Sequence, residues 1–482
     1  MRPLVHRTKI VATIGPASSS YEVLRQMMLA GMSVARLNFS HGSYADHAER
    51  IRQLRHLSDE LGQPLTLLQD LQGPKIRVGD LSAELELVAD GSLTLVPEGA
   101  YSGQPHTVGI DYPHVAEEAQ AGTQVLLDDG LLELMVTSVE GSAVHCRVIR
   151  GGLLKAHKGV NFPTLNLRLP SMTDKDIQDL DFGVQQGVDI VSLSFVRRAE
   201  DVQDLKYRLA AKGVDIPVLA KLEKPQAIEN LDAIVAECDA VMVARGDLGV
   251  EMSPEKVPLI QKQIIRACNQ KCIPVITATQ MLDSMIYNAR PTRAEVSDVA
   301  NAIIDGTDAV MLSGESAVGK HPVEAVKMMA RIARDIEPAT AYVNYPPPEL
   351  NDPHAITEAL NAIDSVLDLT CIVTLTETGQ SARLAAAERP SVPVVALTPS
   401  RRVYHRLNLI WGVRPILLTG LGDSIETVLN QMEEMLLARK FADVGDKVLL
   451  LGGLPMGVAH STNFLKIHTL GTAQGNELSL KK

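Results

Sequence analysis

The sequence has few aromatic residues, few cysteines and no long apolar run, and it has no excess of positive charge. Of its 482 residues, 3% are aromatic and five are cysteine. The net charge of −12 disfavours binding to nucleic acid, because such binding depends on Lys and Arg neutralising phosphates. No apolar run approaches the roughly 20 residues of a membrane-spanning helix. The composition therefore predicts a protein that binds neither nucleic acid nor a membrane.

The cysteines are scattered, and no two of them form a C-x-x-C pair. Such a set is typical of reduced thiols, so we expect a cytoplasmic protein. Cys268 and Cys272 lie four residues apart on a predicted helix, where two packed thiols are favoured over a metal or redox pair. The first apolar stretch is short and ends at Gly15-Pro16, which is not typical of a signal peptide.

Short apolar runs alternate with helical patterns in two separate parts of the chain. At about 150 residues a domain, the length has room for three domains. Residues 1–73 contain three predicted strands, and residues 171–345 contain five more. Eight strands with regular βα spacing are typical of a (β/α)8 TIM barrel. We therefore predict an α/β fold whose catalytic barrel is built from both segments.

The segment between them, 74–170, consists of short alternating runs and turn dipeptides. This pattern predicts a small all-β domain inserted into the barrel. Two hairpins are expected, because each pair of runs flanks a turn signal. They pair 84–88 with 92–96 across Asp90-Gly91, and 125–127 with 132–134 across Asp128-Asp129-Gly130.

Residues 346–482 begin with three prolines, typical of a stiff linker, and continue as a second α/β unit. Its predicted strands cover 371–375, 394–397, 415–418 and 447–451. The first of them leads into a loop that contains Thr376, Thr378, Gly379 and Ser381. Hydroxyls and glycine amides before a helix suit a phosphate group, although an ordinary capped turn has the same pattern.

Charged side chains follow the barrel strands, and the carboxyl ends of such strands meet at one mouth. Glu223 and Asp247 follow neighbouring strands, so we expect their carboxylates to share a divalent ion. With substrate oxygens and water, two carboxylates suit Mg²⁺, whereas no His/Cys cluster has the spacing of a zinc site. Lys221 points to the same mouth. It stabilises an enolate or a transferring phosphoryl group, or it only forms a salt bridge with one of the carboxylates.

Seven motifs resemble those of the pyruvate kinase family and run in the family's order between residues 9 and 324. They are Ile216 to Ile228 around Lys221-Leu222-Glu223, Arg36 to Gly42, Gly73 to Arg77, Val243 to Gly249, Thr277 to Leu282, Pro291 to Glu295 and Met311 to Glu315. The C-terminal domain resembles the family more weakly. The resemblance implies a cytoplasmic homotetramer that transfers the phosphoryl group of phosphoenolpyruvate to ADP in glycolysis, giving pyruvate and ATP.

The resemblance also implies roles for individual residues, with the inserted domain closing as a β-barrel lid that excludes water. By this resemblance, the ligands of Mg²⁺ or Mn²⁺ are Glu223 and Asp247, and the catalytic residues are Lys221, Arg36 and Thr279. The implied substrate contacts are Arg36, Lys221, Gly246, Asp247 and Thr279. The implied nucleotide contacts are Asn38, His41, Arg77 and Lys158.

One departure from the commonest family pattern concerns potassium. The family's K⁺ site matches Asn38, Ser40, Asp70 and the carbonyl of Leu71, and members that need K⁺ carry a glutamate where this chain has Lys75. The motif that contains Lys75 resembles the potassium-independent members. Because an ammonium group supplies the positive charge of a monovalent ion, we expect activity without K⁺.

The loop that contains Thr376 and Ser381 matches the family's allosteric phosphate site. Glu377 and Gln380 stand where members that respond to fructose bisphosphate often have neutral and basic residues. The resemblance therefore favours a bacterial member that responds to a sugar monophosphate or AMP. A glycine-bearing loop at 460–463 is expected to close the same pocket.

Two other functions are compatible with the paired carboxylates. A Mg²⁺-dependent lyase or aldolase acting on pyruvate or phosphoenolpyruvate also pairs acids in a barrel. The inserted β domain, the Arg36 motif and Thr279-Gln280 disfavour it. A non-catalytic, metabolite-sensing relative is disfavoured by four intact residues, Lys221, Glu223, Asp247 and Thr279.

Overall fold

The computed structural model describes residues 6–163, 165, 167–342, 346, 351–418, 420, 424–453 and 462–471. The first segment supplies three strands and two helices of a closed barrel. They are β1 (Lys9–Thr13), α1 (Tyr21–Ala30), β2 (Met32–Asn38), α2 (Tyr44–Leu61) and β3 (Thr66–Asp70).

Burial on both faces explains why these short apolar runs form barrel strands. All five residues of β1 are buried. Ile10 belongs to the core between strands and helices, and Val11 belongs to the core inside the barrel. Such two-sided burial is typical of parallel strands covered by helices. The Ser43 side chain caps α2, and Gly62 ends it at φ 61°, a left-handed conformation that glycine adopts without strain.

The inserted segment forms a six-stranded sheet and a two-stranded sheet. Its elements are β4 (Leu85–Leu87), β5 (Ser92–Pro97), β6 (Thr107–Ile110), α3 (Val115–Glu118), β7 (Gln124–Leu127), β8 (Leu132–Glu140), β9 (Ala143–Arg150), β10 (Gly152–Leu154) and β11 (Val160–Asn161). The larger sheet has the order β11-β7-β8-β9-β5-β6. Val78 N–H donates to Lys158 O at 2.9 Å and Gly79 N–H to Gly109 O at 2.8 Å, so residues 76–79 connect its two edges.

One of the two expected hairpins is confirmed and the other is wrong. β7 and β8 pair across the Asp128-Asp129-Gly130 turn. β4 pairs instead with β10, and β5 pairs with β9. Asp90 N–H donates to Val148 O, and Val148 N–H donates to Gly91 O. β9 and β10, which follow each other directly in the chain, thus pair with the strand edges of β5 and β4 that would have paired with each other in the expected hairpin.

The remaining five barrel strands come from the segment after the insertion. They are β12 (Ile190–Leu193), β13 (Val218–Leu222), β14 (Ala240–Ala244), β15 (Val275–Ala278) and β16 (Ala309–Leu312). The helices are α4 (Asp174–Gln186), α5 (Ala199–Ala211), α6 (Pro225–Glu229), α7 (Leu231–Glu237), α8 (Arg245–Glu251), α9 (Val257–Gln270), α10 (Arg293–Ile304), α11 (Gly314–Ala317) and α12 (Pro322–Ile336). β16 pairs with β1 and closes the barrel, which confirms the predicted fold class.

The C-terminal unit is a five-stranded sheet with helices, ordered β19-β18-β17-β20-β21. Its elements are α13 (Asp352–Val366), β17 (Cys371–Leu375), α14 (Gln380–Ala387), β18 (Val394–Thr398), α15 (Arg401–Arg406), β19 (Val413–Leu417), α16 (Ile425–Ala438), β20 (Lys447–Gly453) and β21 (Thr462–Thr469). Short 3-10 turns in the chain lie at Pro16–Ser18, Glu98–Ala100, Pro254–Lys256, Asp283–Ile286, Glu337–Ala339 and Leu407–Leu409.

Within the described part of the C-terminal unit, β21 is the strand that the sequence did not predict. It lies antiparallel at the sheet edge, and most of its side chains are only partly buried, so its apolar pattern is weak. Thr462 and Asn463, expected in a loop, begin this strand. The other residues of that expected loop, His460 and Ser461, and Pro347-Pro348 of the expected linker lie outside the described residues.

Within the described parts of the chain, no helix has the length and apolar character to cross a membrane. The five cysteines, all within described parts of the chain, form no disulfide and are buried. Burial raises the pKa of the Cys268 thiol well above its usual value, which keeps that thiol protonated. The packed-thiol interpretation of Cys268 and Cys272 therefore agrees with the structure.

Candidate active site

The charged residues expected at the barrel mouth come together there. Lys221 lies near the end of β13, and Glu223 follows that strand. Asp247 lies in α8, directly after the neighbouring strand β14. Arg36 and Asp70 lie near the ends of β2 and β3, which pair with each other.

Lys221 is at the centre of this group. Its Nζ lies 2.9 Å from Glu223 Oε1 and 3.4 Å from Asp70 Oδ1, and it donates to Ser194 Oγ at 2.8 Å. Burial lowers the pKa of Lys221, but the carboxylates of Asp70 and Glu223 outweigh burial, and the net pKa is raised. The side chain therefore stays a cation, and the salt bridge considered as an alternative role is present in the structure.

Glu223 has the features of a ligand for a divalent cation. Its carboxylate is buried, and Oε2 accepts the Phe195 N–H at 2.8 Å. Its Oε1 accepts no hydrogen bond and is held only by the ion pair with Lys221. Burial and the nearby Asp247 carboxylate raise the pKa of Glu223, while Lys221 lowers it. A bound cation would offset the cost of ionising this buried carboxylate.

The Asp247 side chain is 31% exposed, so it has room for ligands that are not protein atoms. Among the residues that the structure describes, no group of three or more His, Cys, Asp or Glu side chains could hold a metal. Glu223 and Asp247 therefore suit an ion such as Mg²⁺, which commonly takes one or two carboxylates and completes its shell with water and substrate oxygens.

Arg36 is fixed in orientation by two neighbours. Its Nε and Nη2 both lie 2.6 Å from Asp70 Oδ2, and its Nη1 donates to Thr13 Oγ1 at 2.9 Å. Burial opposes ionisation of Asp70, but Lys221 and Arg36 outweigh it and lower the pKa of this carboxyl. Asp70 thus holds two cations side by side at the mouth.

Thr279 lies in an unusual turn after β15. Thr279 has φ 70° and Gln280 has φ 53°, a left-handed conformation that is rare for a β-branched residue. Thr279 Oγ1 accepts the Gly246 N–H at 2.7 Å. Arg245 donates to Ala278 O at 3.1 Å and to Thr279 O at 2.8 Å. Arg245, the first residue of α8, therefore stabilises the turn that places the Thr279 hydroxyl against α8.

The expected monovalent-cation residues are divided between two places. Asn38 Oδ1 accepts the Ser40 N–H at 3.1 Å, and Leu71 O accepts from Ser194 Oγ at 2.7 Å. The Lys75 ammonium lies 3.7 Å from Asp247 Oδ1. Its charge is thus delivered beside one of the candidate metal ligands.

The expected nucleotide contacts lie on both sides of the mouth. Lys158 pairs with Asp128 at 2.8 Å, and its hydrogen bond to that carboxylate raises its pKa. Arg77 Nη1 donates to His157 O at 3.0 Å in the same inserted domain. His41 follows β2 on the barrel side.

Three residues near the site were missed by the motif comparison. Glu251 ends α8 and is 4% exposed, and it bonds to both Asn161 and Lys224. A signal was present in the sequence, because Glu251 lies four residues after Asp247 and so shares its side of a helix. Lys224 directly follows Glu223. Asn161 had no comparable signal, because it lies in a two-residue strand.

The candidate phosphate loop lies between β17 and α14. Gly379 has φ 90°, and its N–H donates to Thr376 Oγ1 at 2.8 Å. Ser381 Oγ lies 2.5 Å from Thr462 Oγ1 of β21. A cavity of about 290 Å³ between the C-terminal unit and the barrel opens beside this loop, and Thr378 and Arg383 line it.

Comparisons with known proteins agree along most of the chain. The family described as "Pyruvate kinase, barrel domain" matches residues 5–326, and "Pyruvate kinase, alpha/beta domain" matches residues 354–468. Pyruvate kinase 2 of Synechocystis sp. is 47% identical over 99% of this chain and 82% of its own length. Pyruvate kinase of Mycobacterium tuberculosis is 42% identical over 97% of this chain and 99% of its own length. Pyruvate kinase of Clostridium acetobutylicum is 41% identical over 97% of this chain and 100% of its own length.

Proposed function

Because the chain belongs to the pyruvate kinase family, whose members transfer the phosphoryl group of phosphoenolpyruvate to ADP, we propose that the barrel mouth carries out this transfer. The observation that carries the proposal is the buried Lys221 cation, 2.9 Å from Glu223 and 3.4 Å from Asp70. A fixed cation beside paired carboxylates suits a reaction in which a phosphoryl group and an enolate both carry negative charge.

Each chain residue has a role that its contacts support. Arg36, held by Asp70 and Thr13, contacts the transferring phosphoryl group. Lys221 stabilises that group and then the enolate oxygen. The amides near Gly246, with the Thr279 hydroxyl, hold the substrate carboxylate. Thr279 also serves protonation of the enolate, which converts enolpyruvate to pyruvate.

The family needs a divalent metal, and we propose that Glu223 and Asp247 hold Mg²⁺ or Mn²⁺. The buried Glu223 carboxylate, whose Oε1 is ion-paired with Lys221 but accepts no hydrogen bond, and the partial exposure of Asp247 support this pair. When bound, the metal supplies a Lewis acid that neutralises charge on the substrate oxygens. The protein's own contribution is to hold the two carboxylates and Lys221 in one fixed arrangement.

On the nucleotide side we propose that ADP contacts Asn38, His41, Arg77 and Lys158. The inserted domain, 74–170, would act as a lid over a barrel formed by 1–73 and 171–345. Arg77 and Lys158 belong to this lid, so nucleotide binding would draw it towards the mouth. Closure of this kind excludes water and limits loss of the phosphoryl group by hydrolysis.

The test of the proposed function is ATP formation from ADP and phosphoenolpyruvate, with Lys221→Met as the control. We expect the wild-type chain to form ATP and the variant to lose about 10²- to 10³-fold in kcat, the usual effect of removing a group that stabilises charge in the transition state. A lyase or aldolase would consume phosphoenolpyruvate or pyruvate without forming ATP. A non-catalytic relative would do neither, and both outcomes would refute the proposal.

We further propose that the enzyme does not need K⁺. The Lys75 ammonium lies 3.7 Å from Asp247 Oδ1 and 3.5 Å from Asp129 Oδ1. A positive charge is therefore already present near the metal and substrate. The carboxylate of Asp70, a candidate K⁺ ligand, is paired with Arg36 and Lys221.

For the C-terminal unit, 346–482, we propose an allosteric site for a sugar monophosphate or AMP in a cytoplasmic homotetramer. The site would use Thr376, Thr378, Gly379 and Ser381. The start of α14, whose N-cap residue Gly379 provides no side-chain cap, supports a phosphate ligand.

The effector proposal is tested by steady-state kinetics of Ser381→Ala with a panel of sugar phosphates and AMP. We expect the variant to lose activation by the monophosphate that activates the wild type and to keep its basal rate. Unchanged activation by every compound in the panel would contradict the assignment.

A further inference from the structure

A buried carboxylate at the end of α8 joins the inserted sheet to the barrel mouth. Glu251 Oε1 accepts hydrogen bonds from Asn161 Nδ2 and from Lys224 Nζ, each at 2.5 Å. Asn161 lies in β11 of the inserted sheet and is 7% exposed. Lys224 directly follows Glu223. One oxygen atom therefore connects the sheet, α8 and the end of β13.

Two more features bring the same edge of the sheet close to α8. β7 pairs with β11, and the turn after β7 contains Asp129 and Gly130. A methyl group placed on Gly130 would lie 3.8 Å from Val250 Cγ1 of α8. Lys75 lies between Asp129 of this turn and Asp247 of α8, at 3.5 Å and 3.7 Å. The sheet edge is thus joined to one end of α8 by Asn161 and to the other end through Lys75.

The length of α8 makes these contacts decisive. It has seven residues, and a helix this short depends on tertiary contacts for its stability. Asp247 and Glu251 are four residues apart, so they lie on one side of the helix. A shift of Glu251 would therefore move Asp247, whereas Glu223 directly follows β13 and its Oε2 is held by the Phe195 N–H.

We propose that Glu251 is a positioning residue that sets the separation of Glu223 and Asp247 according to the position of the inserted sheet. The inference rests on the proposed function, in which these two carboxylates bind the divalent ion. When the sheet is against the barrel, the bond from Asn161 fixes the end of α8. When the sheet moves away, that bond breaks and only Lys224 holds Glu251. Closure of the sheet thereby strengthens metal binding.

The test measures Mn²⁺ binding to the full chain without substrates, by electron paramagnetic resonance of the free ion. We expect Glu251→Ala to raise the Kd for Mn²⁺ about 10-fold, at the lower end of the effect of losing a residue that orients a metal ligand. Glu251→Gln is expected to have a smaller effect, because its amide oxygen still accepts a hydrogen bond. Asn161→Ala is expected to weaken binding as well, with no further loss in the double variant with Glu251→Ala.

The matched control is Glu118→Gln. Glu118 is a carboxylate of the inserted domain with a side chain 10% exposed, and it bonds to Tyr112 and Arg168 away from α8. We expect its Mn²⁺ affinity to equal that of the wild type. Circular dichroism checks folding, and Asn161→Ala tests the same inference if Glu251→Ala does not fold.

Glu223→Gln separates this inference from the proposed metal site. If that variant binds Mn²⁺ as the wild type does, the proposed metal site is wrong. If it loses Mn²⁺ while Glu251→Ala and Asn161→Ala bind normally, the metal site stands and the role of Glu251 is wrong. Additive effects of the Asn161 and Glu251 substitutions would also contradict the coupling.

Discussion

Lys75 is the residue on which the proposed independence from K⁺ rests. Its side chain is 24% exposed and lies between two carboxylates, one from the inserted domain and one from α8. An ammonium group in this place supplies a fixed positive charge next to the candidate metal ligand Asp247. A dissolved K⁺ ion would have to be captured and desolvated to do the same.

We expect Lys75→Glu to make the activity dependent on K⁺. Near a protein surface, one charge pair at 4 Å contributes up to about 4 kcal/mol. Because Lys75→Glu reverses one such charge, the rate of the variant in tetramethylammonium buffer should fall at least about tenfold. The wild-type rate should be similar in K⁺ and in tetramethylammonium. Steady-state rates of the wild type and of the variant, each measured in the two salts, check these expectations. Lys155→Glu, at a lysine 52% exposed and paired with Glu84, is the matched control. A large activation of the wild type by K⁺ would contradict the prediction.

The residues that the sequence placed correctly are those at the ends of barrel strands. Lys221 and Glu223 could be brought near Asp247 because parallel strands end at the same mouth. The partners of Lys75 and Glu251 could not be predicted, since they lie across a domain boundary. Their contacts depend on how the inserted sheet meets α8, and no local pattern encodes that arrangement.

At the scale of elements, the turn after β15 is held by a guanidinium from the first residue of α8. Arg245 bonds to two carbonyls of this turn, and its Nη1 and Nη2 each lie 2.7 Å from an Asp298 carboxylate oxygen of α10. The planar fork of arginine makes such multiple bonds, whereas lysine supplies a single charged group. Arg245 thus offsets the strain of the left-handed Thr279 and Gln280.

We expect Arg245→Lys to reduce kcat by about 10- to 100-fold, because a displacement of about 1 Å at a reacting group costs this much. The lysine would keep a charge beside Asp298 but release a carbonyl of the turn. Arg55→Lys is the control, since Arg55 bonds to Leu65 O, Gly187 O and Asp189 at the opposite end of the barrel. An equal loss of kcat in both variants would show that only stability had changed.

Elements buried on both faces were predicted well, and exposed ones were not. The barrel strands have continuous apolar runs, so all eight strands that the sequence predicted in the two barrel segments are present. The β4–β5 hairpin failed because the distant strands β9 and β10 compete for the same edges. β21 was missed because an edge strand with partly buried side chains has no clear period.

At the scale of the molecule, the C-terminal unit packs on the end of the barrel opposite the mouth. Lys9 Nζ, buried at the start of β1, donates to Val413 O of β19 at 2.6 Å. Arg389, after α14, pairs with Asp308 at 3.1 Å and donates to Gly306 O at 2.8 Å. Its guanidinium also lies 4.7 Å from the centre of the Trp411 ring. The interface is therefore fixed by buried polar groups as well as by apolar contact.

The thermal stability of the whole chain should depend on this buried contact far more than on an exposed one. Arg389→Met leaves Asp308 buried without its cation, and breaking a buried pair in this way costs about 3–5 kcal/mol. We expect calorimetry to show a lower melting temperature, or two transitions where the wild type has one. The control is Arg401→Met, which removes an ion pair with Asp59 across the same two units. Both of those side chains are more than half exposed, so the loss should be at most about 1 kcal/mol. Equal shifts in the two variants would mean that the buried Arg389 does not join the C-terminal unit to the barrel.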